Sequence, residues 1–162
     1  LLISDTNHII NSNGDSILTH FISSIKILNP DKTTILLSSS DKSNIINEGE
    51  NVHLDIIKNP AEKHDGKKSV AVLIEDEFSS NFLKLKDTEE LTIKRKSPPN
   101  KMIIISDGDI ISNLFTPPNF YYPLAYYHYG RSVFDGNTNF ILSSIQYLCN
   151  DEVLIKVRNK KR

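Results

Sequence analysis

Ser69-Val70-Ala71-Val72-Leu73-Ile74 and Met102-Ile103-Ile104-Ile105 are the two stretches on which the fold turns. Each is a short, uninterrupted apolar run between polar neighbours, of strand length and without the alternation of a half-exposed strand. Runs of this kind mark strands covered on both faces, so both are expected at the centre of a mixed, largely parallel sheet flanked by helices. The fold class that follows is α/β.

Outward from these runs the punctuation supplies the remaining elements. Asn11-Ser12-Asn13-Gly14-Asp15 is a turn cluster, and the β-branched and apolar residues of Ile17 to Leu28 predict a strand closed by Asn29-Pro30-Asp31. Thr33 to Leu37 is a second β-rich run, after which Ser43 is placed to cap a short helical turn. Val52 to Ile57 alternates as an edge strand does, and the charged segment from Asp87 to Asn100, ending on Pro98-Pro99, reads as a solvated hairpin or loop. A helix is predicted from Asn137, as N-cap, to Leu148, with Ile141, Ile145, Leu148 and Cys149 on its apolar stripe. Leu154 to Val157 is expected to return as a strand.

At 162 residues, one α/β domain over 1–162, or part of one, is expected, since domains run at about 100–200 residues. The lone Cys149 excludes a disulfide framework within the chain and a cysteine-rich zinc site. Nineteen basic against twenty acidic residues remove the broad positive footprint of a general nucleic-acid binder. No apolar stretch approaches the roughly 18–20 residues of a membrane span. The chain opens Leu1-Leu2-Ile3 without Met, which suggests a piece of a longer protein.

Several kinds of chemistry lack their parts. There is no Gly-x4-Gly-Lys-[Ser/Thr] loop, no Gly-x-Gly-x-x-Gly, no Gly-x-Ser-x-Gly elbow and no Cys-x-x-Cys. The five histidines show no metal-ligand spacing. No cofactor is implied. The sharpest local feature is Ser106-Asp107-Gly108-Asp109, where an apolar strand empties into two carboxylates. The first reading is a strand-to-helix turn, with Gly108 permissive and Asp109 capping Ile110 to Asn113. The rival reading is a magnesium-dependent phosphotransferase or hydrolase using Asp107 and Asp109, as in haloacid-dehalogenase-type enzymes, although Ile111 stands where a hydroxyl is expected. Nine of the thirteen aromatics lie between Phe115 and Phe140, a density that either fastens a loop to the body or offers a recognition surface.

Val70 to Glu75 followed by Phe78-Ser79-Ser80-Asn81-Phe82, then Lys101 to Asn113, Pro123-Leu124-Ala125-Tyr126 with Tyr129, Phe134, Gly136-Asn137 and Phe140, and finally Tyr147-Leu148 with Asn150-Asp151-Glu152, form an ordered set. In order and spacing the set resembles the extracytoplasmic region of gliding-motility-associated ABC transporter auxiliary proteins, the GldG-like family. The resemblance implies a flavodoxin-like or glutamine-amidotransferase-like fold without a catalytic nucleophile, in a membrane-anchored parent on the periplasmic side of the inner membrane. Its partners would be a separate ABC ATPase and a permease, with a glycan or peptide as possible ligand. A departure from the family pattern is Ala125-Tyr126-Tyr127-His128-Tyr129, where an Asp–Arg pair is usual. The candidate ligand or partner site gathers Ser38, Glu75, Ser106, Asp107 and Asp109 at strand ends, with Tyr126, Tyr129 and Asn137 beside them.

Overall fold

The computed structural model describes residues 2–4, 7–50, 64–81, 94–127 and 130–160. Its main sheet has four strands in the order β1 (Ile3–Ser4), β2 (Thr33–Ser38), β3 (Ser69–Ser79), β4 (Lys96–Ile105), and every neighbouring pair is antiparallel. This corrects the expected fold class: the sheet is not largely parallel and the fold is not flavodoxin-like or amidotransferase-like. The reason is physical. A continuous apolar run records burial on two faces and says nothing of strand direction, which the connections decide.

β3 meets the expectation of burial, with Val70, Ala71, Val72 and Leu73 all at 2% exposure or less. In register, Ala71 pairs with Ile105, Leu73 with Ile103 and Glu75 with Lys101, so these side chains share one face. Ile103 and Ile105 pack against the core from that face. Val72 pairs with Ile104 and Ile74 with Met102 on the other. Ile104 is 40% and Met102 43% exposed, so β4 is the edge strand of the sheet among the described residues, not a central one. Lys96 to Asn100, expected in a loop, form its first half, with Pro98 and Pro99 tolerated because an edge strand need not donate on its outer side.

A helical hairpin packs on the sheet. α1 (Asp135–Leu148) and α2 (Glu152–Lys160) are joined through Asn150 at φ 59°, where the Asp151 N–H returns to the Gln146 carbonyl at 2.8 Å. Phe140, Tyr147 and Ile155 enter the core with Leu36, Leu37 and Leu73. The stripe predicted for α1 is displaced: Ile145 is 53% and Leu148 40% exposed, Cys149 is exposed, and the buried face runs Gly136, Asn137, Phe140, Ser143, Ser144, Tyr147. Small and polar residues hold that face because they permit close approach. A Cβ at Gly136 would collide with the Ser16 carbonyl. Leu154 to Val157 are helical, not a strand: Asp151 Oδ1 accepts from the Leu154 N–H at 3.2 Å and Arg158 reaches Gln146 Oε1 at 2.8 Å across the hairpin.

Ile17 to Leu28 forms no strand beyond a single bridge between Leu2 and Ile17. Ser43 caps no helix either; its hydroxyl reaches the Ser40 and Gly66 carbonyls at 2.7 and 2.9 Å, tying two loops together. The expected edge strand at Val52 to Ile57 lies outside the described residues.

Beyond the main sheet, β5 (Asn113–Thr116) and β6 (Phe120–Leu124) form a separate two-stranded hairpin, and β7 (Tyr126–Tyr127) pairs with β8 (Ser132–Val133).

Candidate functional site

Ile105 ends β4, and the chain turns at once into a single turn of 3-10 helix, Gly108–Ile111. Asp107 caps it: its Oδ1 accepts from the Asp109 N–H at 2.9 Å. The turn reading is therefore right in kind, but the capping carboxylate is Asp107 and not Asp109. The second carboxylate oxygen of Asp107 is buried and has no hydrogen-bond partner among the described residues. Ile110 is driven into the core at 1% exposure, which fixes the turn and leaves the Asp109 carboxylate outside, with no hydrogen bond or ion pair among the described residues.

Asn137 holds this turn to its surroundings. It is no N-cap; the helix starts after Phe134, and Asn137 sits inside the first turn at 1% exposure. Its Oδ1 accepts from the Leu18 N–H at 2.8 Å while its Nδ2 donates to the Leu18 carbonyl at 2.8 Å and the Ile110 carbonyl at 3.2 Å. One amide thus serves the backbone of Leu18 as a paired strand would and ties it to the Asp107–Ile111 turn.

Between these pieces lies a cavity of about 330 Å³, lined among others by Thr19, His20, Asp109, Ser112, Tyr126 and Asn137. The Tyr126 ring stacks on Tyr122 with centroids 4.3 Å apart and planes 16° from parallel. Ala125, at φ 55°, makes the sharp bend between β6 and β7 that brings Tyr126 and Tyr127 into the lining. Among the described residues the lining carries one carboxylate and one imidazole and no Lys or Arg. These residues set hydroxyl and carboxylate acceptors beside aromatic faces.

Of the residues named from the sequence, Asp109, Tyr126 and Asn137 come together here, with Asp107 supporting the turn behind them. Three others lie elsewhere. Ser38 is buried at the end of β2 opposite Ser69. Ser106 donates its hydroxyl to the Ser23 carbonyl at 2.6 Å, fastening a loop. Glu75 lies further along β3 and accepts from the Tyr147 hydroxyl at 3.0 Å. Burial and that hydrogen bond push the Tyr147 phenol up to about 12, and Lys101 Nζ stands 3.9 Å over the same ring. Tyr129 lies outside the described residues. Leu18, Thr19, His20 and Ser112 were not anticipated, because an irregular segment brought in by a buried amide leaves no periodic signal.

A second cavity, about 690 Å³, opens among Ser39, Ser43 and Lys68 near the sheet end. None of the sequence candidates lines it. Two of its hydroxyls are already engaged: Ser39 and Ser43 share a 2.7 Å hydrogen bond, and Ser39 Oγ accepts from the Lys68 N–H at 2.8 Å. Among the described residues, no group of three or more His, Cys, Asp or Glu is arranged to hold a metal ion, and no helix is long and apolar enough to cross a membrane.

The described residues thus form an antiparallel sheet backed by a helical hairpin, with a small aromatic and polar pocket beside the Asp107–Ile111 turn. The match that gives it a family is to the model described as an ABC-type uncharacterized transport system, an auxiliary-component family, over residues 1–144. The chain belongs to that family, and is associated by it with an ABC transport system. Neither the curated proteins nor the solved structures contain a match.

Proposed function

We propose that the chain is a non-catalytic recognition domain of its ABC transport system, acting on the periplasmic side of the inner membrane beside a separate ATPase and permease. The observation that carries the reading is the 330 Å³ cavity, where the unpartnered carboxylate of Asp109 stands with Tyr126, held by its stacking on Tyr122, and the Ser112 hydroxyl. A glycan or a peptide suits such a lining: aromatic faces take apolar ring or side-chain surface, and the carboxylate and hydroxyls take its polar groups. Among the described residues no Lys or Arg lines the cavity, which disfavours an anionic ligand. A task in gliding motility rests on the family resemblance of the ordered blocks and is part of this proposal.

Equilibrium binding against soluble glycans and peptides tests it. Asp109→Asn and Tyr126→Ala should each weaken binding about tenfold or more, the cost of one charged or aromatic contact. Ser38→Ala, at a buried position that does not line the cavity, should leave affinity unchanged. Equal affinity in all three variants would remove the site from this cavity.

A further inference from the structure

The β5–β6 hairpin is built for an environment other than water. A two-stranded hairpin has little independent stability, yet this one shows solvent most of its apolar side chains: Leu114 and Phe115 are 45% exposed, Phe120 57% and Tyr121 70%. It is nonetheless well fixed. Phe115 pairs in register with Tyr121 and their rings lie 4.9 Å apart, while Tyr122 joins Phe120 at 4.7 Å to the stack on Tyr126. Asn113 Nδ2 closes the base on the Tyr122 carbonyl at 3.0 Å. The rings are therefore presented on a braced element, not left on a slack loop.

Charge decides what the hairpin would meet. From Ile110 to Tyr127 the sequence runs through eighteen residues without one Asp, Glu, Lys, Arg or His, in a chain where 24% of residues are charged. A protein-docking surface carries a polar and charged rim around its apolar centre. A bilayer boundary selects the opposite: charges are costly there, and tyrosine and proline are tolerated. The tip adds a second sign. Pro117 and Pro118 have no N–H, so the turn offers two fewer backbone donors that would need a partner in an apolar medium. We infer that the β5–β6 hairpin seats its tip, through Phe120 and Tyr121, in the headgroup and acyl boundary of a lipid bilayer. The matching charge of its partner is zero: the seat is zwitterionic lipid, not an anionic surface. This does not rest on ligand binding in the cavity.

The chain contains no tryptophan, so Tyr121→Trp places a single reporter at the tip. With phosphatidylcholine vesicles its emission should shift to the blue and the protein should cosediment, equally in low and high salt and with or without phosphatidylglycerol. Adding Phe120→Ser to the reporter protein should cut partitioning about tenfold, as removal of one buried aromatic side chain does. Both positions are exposed, so an unchanged circular dichroism spectrum and melting curve will accompany the loss. Three results would overturn the inference. Unshifted emission with saturating vesicles would do so, as would binding that requires phosphatidylglycerol and vanishes in salt. So would emission already blue in the absence of lipid together with a dimer mass in light scattering, which would assign the rings to a second copy of the chain.

Discussion

β3 and β4 begin from the same kind of sequence and end in different places. Val70-Ala71-Val72-Leu73 and Met102-Ile103-Ile104-Ile105 are both unbroken apolar runs, they are direct neighbours, and four pairs from Ala71–Ile105 to Ile74–Met102 join them. Yet β3 is buried on both faces, while β4 buries Ile103 and Ile105 only partly and leaves Met102 and Ile104 open. The difference lies outside the strands. β3 has β2 on one side and β4 on the other; among the described residues β4 has β3 alone, and no strand pairs with its outer edge. An apolar run therefore reports what a strand can withstand being buried in, and its place in the sheet reports what is there to bury it.

The largest effect should come from the strand that is closed on all sides. Leu73→Ala, at 1% exposure and in the main core cluster, should cost about 2–5 kcal/mol, because a cavity is left that the sheet cannot close. Urea denaturation with an unchanged m-value measures it. A cost below about 1 kcal/mol would mean that β3 is packed no better than β4.

Asn137→Ala comes next, and it tests what holds the cavity rather than the sheet. Three backbone groups, the Leu18 N–H and carbonyl and the Ile110 carbonyl, would lose their partner, and about 1–3 kcal/mol attends each polar group left buried and unpaired. Water reaching Leu18 will reduce the total, so a loss of about 2–4 kcal/mol is expected in the melting curve. Increased amide exchange at Leu18 should accompany it. Protection unchanged at Leu18 would show that the amide is not the tie between α1 and this segment.

Tyr147 joins the two strands from the helix side, through Glu75 on β3 and Lys101 on β4. Tyr147→Phe should cost about 1 kcal/mol, the net worth of one hydrogen bond. The pH dependence has a definite sign. Burial first, and the Glu75 carboxylate second, raise the folded phenol to about 12 from the ordinary tyrosine value of 10.0. The stability it contributes is thus complete below the unfolded pKa and is lost as pH rises through about 12, since the unfolded state releases the proton first. Ultraviolet titration of the phenolate should lose one late-titrating tyrosine on going from the wild type to Tyr147→Phe.

How much could be read in advance follows the same division. The positions of β2, β3 and α1 were legible because burial leaves a local pattern: Thr33 to Leu37, Val70 to Leu73, and an apolar residue at each helical turn. Strand direction was not, because nothing in a fully apolar run distinguishes parallel from antiparallel pairing. The burial face of α1 was misread because its interface is made of Gly136, Ser143 and Ser144, whose value lies in being small. Leu154 to Val157 misled for the converse reason, four residues of strand composition that a capping Asp151 and a preceding helix turn into α2. At the site, Asp107 and Asp109 were legible as a turn. The distribution of their roles was not, since it depends on which side chain folds back on the backbone. Asn137 was marked as a helix cap by residue type alone, and its actual partners at Leu18 and Ile110 are set by tertiary contact.

The smallest effect belongs to the open face of β4. Ile104→Thr keeps a β-branched side chain in an extended backbone and replaces its ethyl group with a hydroxyl at a position that is 40% exposed. It should change stability by no more than about 0.5 kcal/mol, the range of surface substitutions. Val72→Thr, at its cross-strand partner and 2% exposed, puts a hydroxyl in place of a methyl group in a closed site and should cost about 1–3 kcal/mol, because the hydroxyl is buried without an assured partner. Two substitutions that each introduce a threonine hydroxyl, one strand apart, thus measure the difference between the strands. Equal costs would mean that Ile104 is covered in solution, and the β4 edge would then have a neighbour that its exposure does not show.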